Sequence, residues 1–418
     1  MIAAILPVRT LLIAIFMLMA GSGFLSTLIS LRLDAGGVNS LFIGLVATAY
    51  FLGLTFGSLS VSGLVARVGH IRAFATFVSL FSASTLAYAL HQDTALWAAL
   101  RFVDGFCMAG VFVCLESWLN ERAEARTRGS VLAFYMIALY AGQAIGQFLL
   151  NLAETRPTVP FMAASVILSM AVIPVAITRI ASPQLEARAP LTMRRLYEVS
   201  PLGIVGAAIN GLMLGAFYAM GAVYIRRLGM ELSEAAIFMS AVILGGVVLQ
   251  WPIGRLSDRF DRRRVISGTF GAAVIISLLI ALFGAPGHAL LVLASLFGGL
   301  SFALYPLCVA HTNDHLTGDE RIGASGGLVL AYSVGAAAGP IAGAAAMHLV
   351  GPSGLFVFIA LAALAALAFA LRRQWVSEPV PEAEQQPYQI LPRTTPQSAS
   401  LDPNVLDEEI EPAAAAGA

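Results

Sequence analysis

Three charges lie inside one apolar stretch, 95–118: Arg101, Asp104 and Glu116. Charge in apolar surroundings is costly, so each such residue needs a partner or a task. Arg101 and Asp104 are three positions apart, so on a helix they share a face and can pair. Two roles are open for the pair. It can serve ligand or proton movement, or it can be a salt bridge that lets Gly105 and Gly110 approach a neighbouring helix. Glu116 stands near the end of the same stretch. His311 ends another apolar stretch, 288–311, and its imidazole can titrate near neutral pH. Capping the end of its helix is the simpler reading for His311. Arg101, Asp104, Glu116 and His311 are the candidates for proton coupling.

Uncharged polar residues form stripes. Tyr140, Gln143, Gln147 and Asn151 recur at spacings of three and four, which places them on one helical face. Facing lipid would be expensive, so the stripe faces protein or water. It lines a cavity or bonds a neighbouring helix, the latter worth about 0.6–2 kcal/mol per contact. Asn210, Phe217 and Tyr224 form a second stripe, and Ser301 and Tyr305 a third. Pro306 should kink the helix that carries the third. Tyr140, Gln143, Gln147, Asn151, Asn210, Tyr224, Ser301 and Tyr305, with Arg101 and Asp104, are the expected substrate-cavity set.

The densest charge is in Gly254-Arg255-Leu256-Ser257-Asp258-Arg259-Phe260-Asp261-Arg262-Arg263-Arg264. Asp258 sits at the C-terminal end of an apolar run, where a carboxylate opposes that helix's dipole. It should therefore serve a nearby helix N-terminus or an arginine.

These residues need elements to hold them. Of the 418 residues, 58% are hydrophobic and only 11% charged, against about 25% charged in soluble domains. Runs long enough to cross a bilayer fall at 9–32, 41–65, 72–91, 95–118, 129–153, 158–179, 201–225, 235–257, 265–285, 288–311, 322–349 and 353–372. The fold class is all-α membrane protein, two sets of six helices. Arginine sets the orientation: Arg67, Arg72, Arg122, Arg126, Arg128, Arg188, Arg194, Arg195, the 255–264 cluster, Arg321, Arg372 and Arg373 alternate with a few on the other side. The positive-inside rule then puts both termini in the cytoplasm.

The halves repeat weakly. Ser62 to Gly69 overlies the 254–261 loop, with Leu64 and Arg67 on Leu256 and Arg259, Ala66 on Asp258 and Gly69 on Asp261. Asn39 and Ser233 coincide as N-cap candidates, and Glu124–Gly129 parallels Glu320–Gly323. The division is 1–180, a six-helix bundle; 181–200, a cytoplasmic linker with a short helix capped by Thr192; 201–373, a second bundle; and 374–418, a tail read as disordered from its Pro, Glu, Gln and Ala content.

Zero net charge gives no reason to expect a nucleic-acid partner. No phosphate loop or metal-ligand run is present, so no cofactor or metal is expected and the chain does not read as an enzyme. Cys107, Cys114 and Cys308 lie in apolar runs as packing residues.

The loop Gly254, Leu256, Asp258, Arg259, Arg262 and Arg263 resembles the signature G-x-L-x-D-R-x-G-R-[KR] of the major facilitator superfamily, with Asp261 where that pattern has its second glycine. Arg101 to Gly105 is similar to the R-x-x-x-G segment of that superfamily's fourth helix. Leu115-Glu116-Ser117-Trp118-Leu119-Asn120-Glu121 and the Tyr305–Asp314 segment resemble its YcaD-like branch. The resemblance implies a monomeric twelve-helix secondary transporter of a bacterial-type inner membrane. Its pseudo-symmetry implies that Asp258 meets the start of the run at 129–153, around Arg128, as part of a conformational gate formed by Gly254, Asp258, Arg259, Arg262, Arg263, Arg67 and Arg128. The transporter would move a small solute by alternating access, with protons as a possible co-substrate and the lipid bilayer as its surroundings. A neutral, zwitterionic or amphiphilic solute fits better than an anion. Efflux against uptake stays open, as does a non-transporting sensor with the same fold.

Overall fold

A computed structural model of the chain describes residues 6–123, 125–154, 156–178, 183, 191–285, 287–316, 319–376, 378–381 and 384–403. Glu124, Arg188 and most of the linker lie outside the described residues. Among the described residues every regular element is helical. Twelve helices are long and apolar enough to cross a membrane: α1 Arg9–Ala35, α2 Ser40–Val68, α3 His70–Leu90, α4 Thr94–Arg122, α5 Arg128–Glu154, α6 Val159–Ala176, α7 Pro201–Arg227, α8 Leu232–Ser257, α9 Arg262–Phe283, α10 His288–Asn313, α11 Glu320–Val350 and α12 Gly354–Val376.

Their ends follow from local chemistry. Asn39 caps α2, its Oδ1 accepting from Leu41 N at 2.9 Å. Asp93 caps α4 at Leu96 N, 2.7 Å. Thr192 caps the short linker helix Met193–Val199 through Arg195 N at 3.3 Å. Ser233 is not the cap of α8. Glu231 and Glu234 form a reciprocal capping box there, which starts the helix earlier than the apolar pattern alone implies.

The repeat is structural. α2 packs on α4, α1 on α5 and α3 on α6; the second half repeats these as α8 on α10, α7 on α11 and α9 on α12. Gly53 and Gly105 face each other's helix backbone so closely that a Cβ on either would collide with a carbonyl. Gly245 and Gly298 do the same between α8 and α10. Small residues replace the missing hydrophobic drive of lipid by close backbone contact.

The two halves meet directly at one end of the molecule. Thr48 donates to Ala337 O at 2.8 Å, joining α2 to α11. Ser240 donates to Ala144 O at 2.9 Å, joining α8 to α5. Arg227 on α7 holds Asp34 on α1 with two bonds of 2.7 and 3.1 Å. At the other end, which carries the arginine-rich loops, the tail lies between the halves.

The expectation of a disordered tail does not describe residues 384–403. They run back along the bundles and finish in a 3-10 turn, Pro396–Leu401, packed on α4 and α5 of one half and α11 of the other. Leu391, Thr395, Ser398 and Leu401 are buried. The physical reason is that the space between the halves offers polar partners and aromatic faces, which composition alone does not reveal. Residues 404–418 lie outside the described residues.

Candidate functional site

Three of the gate residues, Gly254, Asp258 and Arg262, meet the tail. Arg262 is the hub: its Nη1 reaches both carboxylate oxygens of Asp314 at 2.6 Å, and its Nη2 donates to Gln386 O at 2.6 Å. Asp314 in turn accepts from Gln386 N at 2.9 Å. Burial pushes the Asp314 carboxyl above the usual range, outweighing the opposing pull of Arg262. Asp258 accepts from Tyr388 N at 2.8 Å and from Arg262 Nη2 at 3.4 Å. The expected contact of Asp258 with the start of α5 is replaced by these, because the tail reaches the carboxylate where the two halves stand apart. Gly254 is buried under the Tyr388 ring, where any Cβ would collide.

Asp261 explains its own departure from the glycine pattern. It caps α9 through Arg263 N at 3.0 Å and pairs with the Arg263 guanidinium at 2.9 and 3.1 Å. Burial raises its pKa, but the hydrogen bonds and charge of Arg263 prevail and hold the carboxyl below the usual range. Arg67 and Arg259 are exposed. His311 is buried with its ring 4.9 Å from that of His315, and its carbonyl meets His315 Nδ1 at 2.8 Å.

Deeper between the halves, Tyr140 of α5 stands 5.3 Å from Phe302 of α10, and Tyr305 of α10 stands 5.5 Å from Tyr332 of α11. Gln143 lies beside the Tyr218 hydroxyl of α7. Arg393 of the tail enters this group. Its guanidinium lies 4.5 Å from the Phe302 centroid and 5.5 Å from that of Tyr332. Its charge also bears on the hydroxyls of Tyr218 and Tyr332, which lie beside it. The next two residues, Thr394 and Thr395, donate to the carboxylate of Glu116, which also accepts from Tyr135 at 3.0 Å. Glu116 itself is fully buried.

Other expected cavity residues have structural work. Asp104 accepts from Ser84 and Tyr88, each at 2.6 Å, and pairs with Arg101 at 3.7 Å. Arg101 donates to Ser26 at 2.5 Å and lies 4.2 Å over the Tyr50 ring. All these partners belong to α1–α4, so the pair braces one bundle and Asp104 points away from the cavity. Gln147 donates at 3.1 Å to Gly23 O, a carbonyl at the break in α1 after Ser22. Asn151 lies in the 3-10 end of α5, with its Oδ1 buried and unpartnered. Asn210 donates to Ser301 O at 2.6 Å, tying α7 to α10. Tyr224 donates to Ile280 O at 3.2 Å and packs on Phe356, so it faces α9 and α12.

Of the expected cavity set, Tyr140, Gln143 and Tyr305 gather around the tail between the halves, together with Glu116 of the proton-coupling set. Tyr218, Phe302, Tyr332 and the tail residues Arg393, Thr394 and Thr395 complete the group, and these were missed. The signal in the sequence was a run of large and polar residues, Tyr388 to Thr395, inside an otherwise Pro- and Ala-rich tail.

Comparison with known proteins gives the setting. The model described as Major Facilitator Superfamily matches residues 11–302 and 203–403. The chain is 30% identical over 379 residues to the MFS-type transporter YcaD of Escherichia fergusonii, covering 90% of this chain and 98% of that one. It is 28% identical over 386 residues to an MFS-type transporter of Yersinia pestis, covering 91% and 98%. Among solved structures, the nucleoside transporter NupG superposes with a TM-score of 0.74 at 14% identity, covering 88% of this chain and 99% of that one. A bacterial homologue of the lysosomal transporter Spinster, in an inward-facing and unoccupied conformation, gives 0.68 at 12% identity, covering 97% and 98%.

Proposed function

The chain belongs to the major facilitator superfamily, a family of membrane transporters, and from that premise we propose that it is a secondary active transporter carrying a small solute by alternating access. The observation that supports this reading is the unequal closure of the two ends. Helix contacts join the halves at the end of Asp34 and Arg227. At the arginine-rich end the halves stand apart around the tail, at a site walled by Tyr140, Gln143, Tyr218, Phe302, Tyr332 and Glu116. Rocking one bundle against the other would exchange the open and closed ends around a fixed central site.

The arginine-rich end is the cytoplasmic one by the positive-inside rule, with both termini inside and the protein in a bacterial-type inner membrane. The halves then stand apart on the cytoplasmic side, with the tail between them. Glu116 is the group we assign to proton coupling, since it is the carboxylate in the cavity, whereas Arg101 and Asp104 brace the first bundle. A monomer suffices, because the cavity lies within one chain.

The experiment uses cysteine at Gln143 in a chain whose Cys107, Cys114 and Cys308 are replaced by alanine. The thiol should react with a membrane-impermeant reagent from the side of Arg126, and protection should follow when the halves close there. Protein fusions at Arg126 and Arg195 should report inside and those at Arg156 and Arg227 outside. A thiol at Gln143 that never reacts from either side would end the transport reading, and inverted fusions would end the orientation.

A further inference from the structure

Arg393 is a cation held in the cavity by a segment that belongs to neither bundle. Its setting is unusual for a structural arginine, whose partners are commonly carboxylates. Here the guanidinium faces the rings of Phe302 and Tyr332 and the hydroxyls of Tyr218 and Tyr332, with Tyr140 beside them. Aromatic faces attract cations through the ring quadrupole, more strongly where water is excluded. The Glu116 carboxylate, reached by the adjoining Thr394 and Thr395, adds negative charge at the same level of the tail. A cavity so built selects a positive, flat or alkylated group over a neutral one of the same shape.

We propose that this cavity binds organic cations of the guanidinium and alkylammonium type, and that Arg393 occupies it as a tethered competitor. The proposal rests on reading the cavity as the transport site. The rest of the tail is the tether's anchor: Gln386 on Arg262 and Asp314, and Tyr388 on Asp258 and over Gly254. A group tethered by a short chain meets its site at an effective concentration on the order of millimolar. A free cation then binds with an affinity scaled down by the fraction of molecules whose tail is out of the site.

Phenylguanidine and its neutral isostere phenylurea separate charge from shape. Calorimetry on the full-length protein in detergent would compare the wild type with a triple variant, Arg393→Gln, Thr394→Val and Thr395→Val, which leaves both bundles intact. The variant should bind phenylguanidine at least about tenfold more tightly than the wild type, and phenylurea weakly. Adding Tyr332→Leu to the variant should abolish the gain. In otherwise wild-type, cysteine-free protein, phenylguanidine should also speed thiol labelling of Gln397→Cys by displacing the tail, and phenylurea should not. Equal affinity for the two probes, or no gain on releasing the tail, overturns the proposal. If that happens while Gln143→Cys still reacts from one side, the cation assignment falls and the transport reading stands. An unreactive Gln143→Cys removes both.

Discussion

Two buried carboxylates on α4 have opposite kinds of company. Asp104 is held by Ser84 and Tyr88 of α3 and by Arg101 of its own helix. These partners all lie in the same bundle. Glu116, about three turns further on, shares Tyr135 with α5, but two of its hydrogen bonds come from Thr394 and Thr395 of the tail. Burial is complete for both, so burial does not distinguish a structural carboxylate from a working one. What distinguishes them is whether the partner can leave without unfolding anything. By that test we read Asp104 as a brace and propose Glu116 as a site.

The largest expected effect comes from breaking the brace. Asp104→Asn would leave Arg101 buried beside Ser26 and Tyr50 without its counter-charge. Losing one member of such a pair costs about 3–5 kcal/mol. Purified Asp104→Asn and Arg101→Gln should both show a marked fall in melting temperature and yield. If either folds at the wild-type temperature and loses only flux, the pair belongs with Glu116 among the working groups and the contrast collapses.

Glu116→Gln should give the reverse pattern. The amide still accepts a hydrogen bond, so the loss is the charge-assisted part, about 1–2 kcal/mol. It should appear as release of the tail: labelling of Gln397→Cys rises by roughly tenfold, since about 1.4 kcal/mol is a factor of ten. The melting temperature should stay close to that of the parent. A fall as large as that of Asp104→Asn would make Glu116 a second brace.

Gly254→Ala sharpens the same point with a smaller effect. A methyl there lands on the Tyr388 ring, while an alanine inside a helix is favoured over glycine by about 0.8–1 kcal/mol. Tail labelling should rise about threefold, by relief of the Tyr388 collision, with the melting temperature unchanged or higher. Unchanged labelling would mean that Tyr388 shifts aside and does not hold the tail.

The sequence made the twelve helices legible because length and apolarity alone decide them. Asn39 and Thr192 were legible because each has a local mechanism. The polar stripes were half legible. A helical face of Tyr140, Gln143, Gln147 and Asn151 says that something must be satisfied, yet Gln143 meets the cavity while Gln147 fills the carbonyl freed where α1 breaks. Spacing does not tell a ligand site from a broken helix. The tail was illegible for a different reason. Its composition cannot build a core of its own, but Arg262, Asp258 and Asp314 supply its backbone with partners from a different part of the chain.

Asp261 offers the finest test, a carboxylate whose partners are its own immediate neighbours. It caps α9 and pairs with Arg263 two residues on. Its folded-state pKa is depressed, so the linkage sign is that of a group stabilising the fold when ionised. That contribution is present above the unfolded value of about 3.9 and is lost as pH falls through the lower folded value. Asp261→Asn keeps an acceptor for the cap and removes the charge. The variant should melt slightly below the wild type at pH 7, by no more than about 1 kcal/mol, since the site is partly exposed. The gap should close as the pH is taken below about 4. Tail labelling at Gln397→Cys should not move at any pH, because no partner of Asp261 lies in the tail. A change in tail labelling would show that even a local carboxylate reports on the tail, and the distinction between braces and sites would have to be drawn elsewhere.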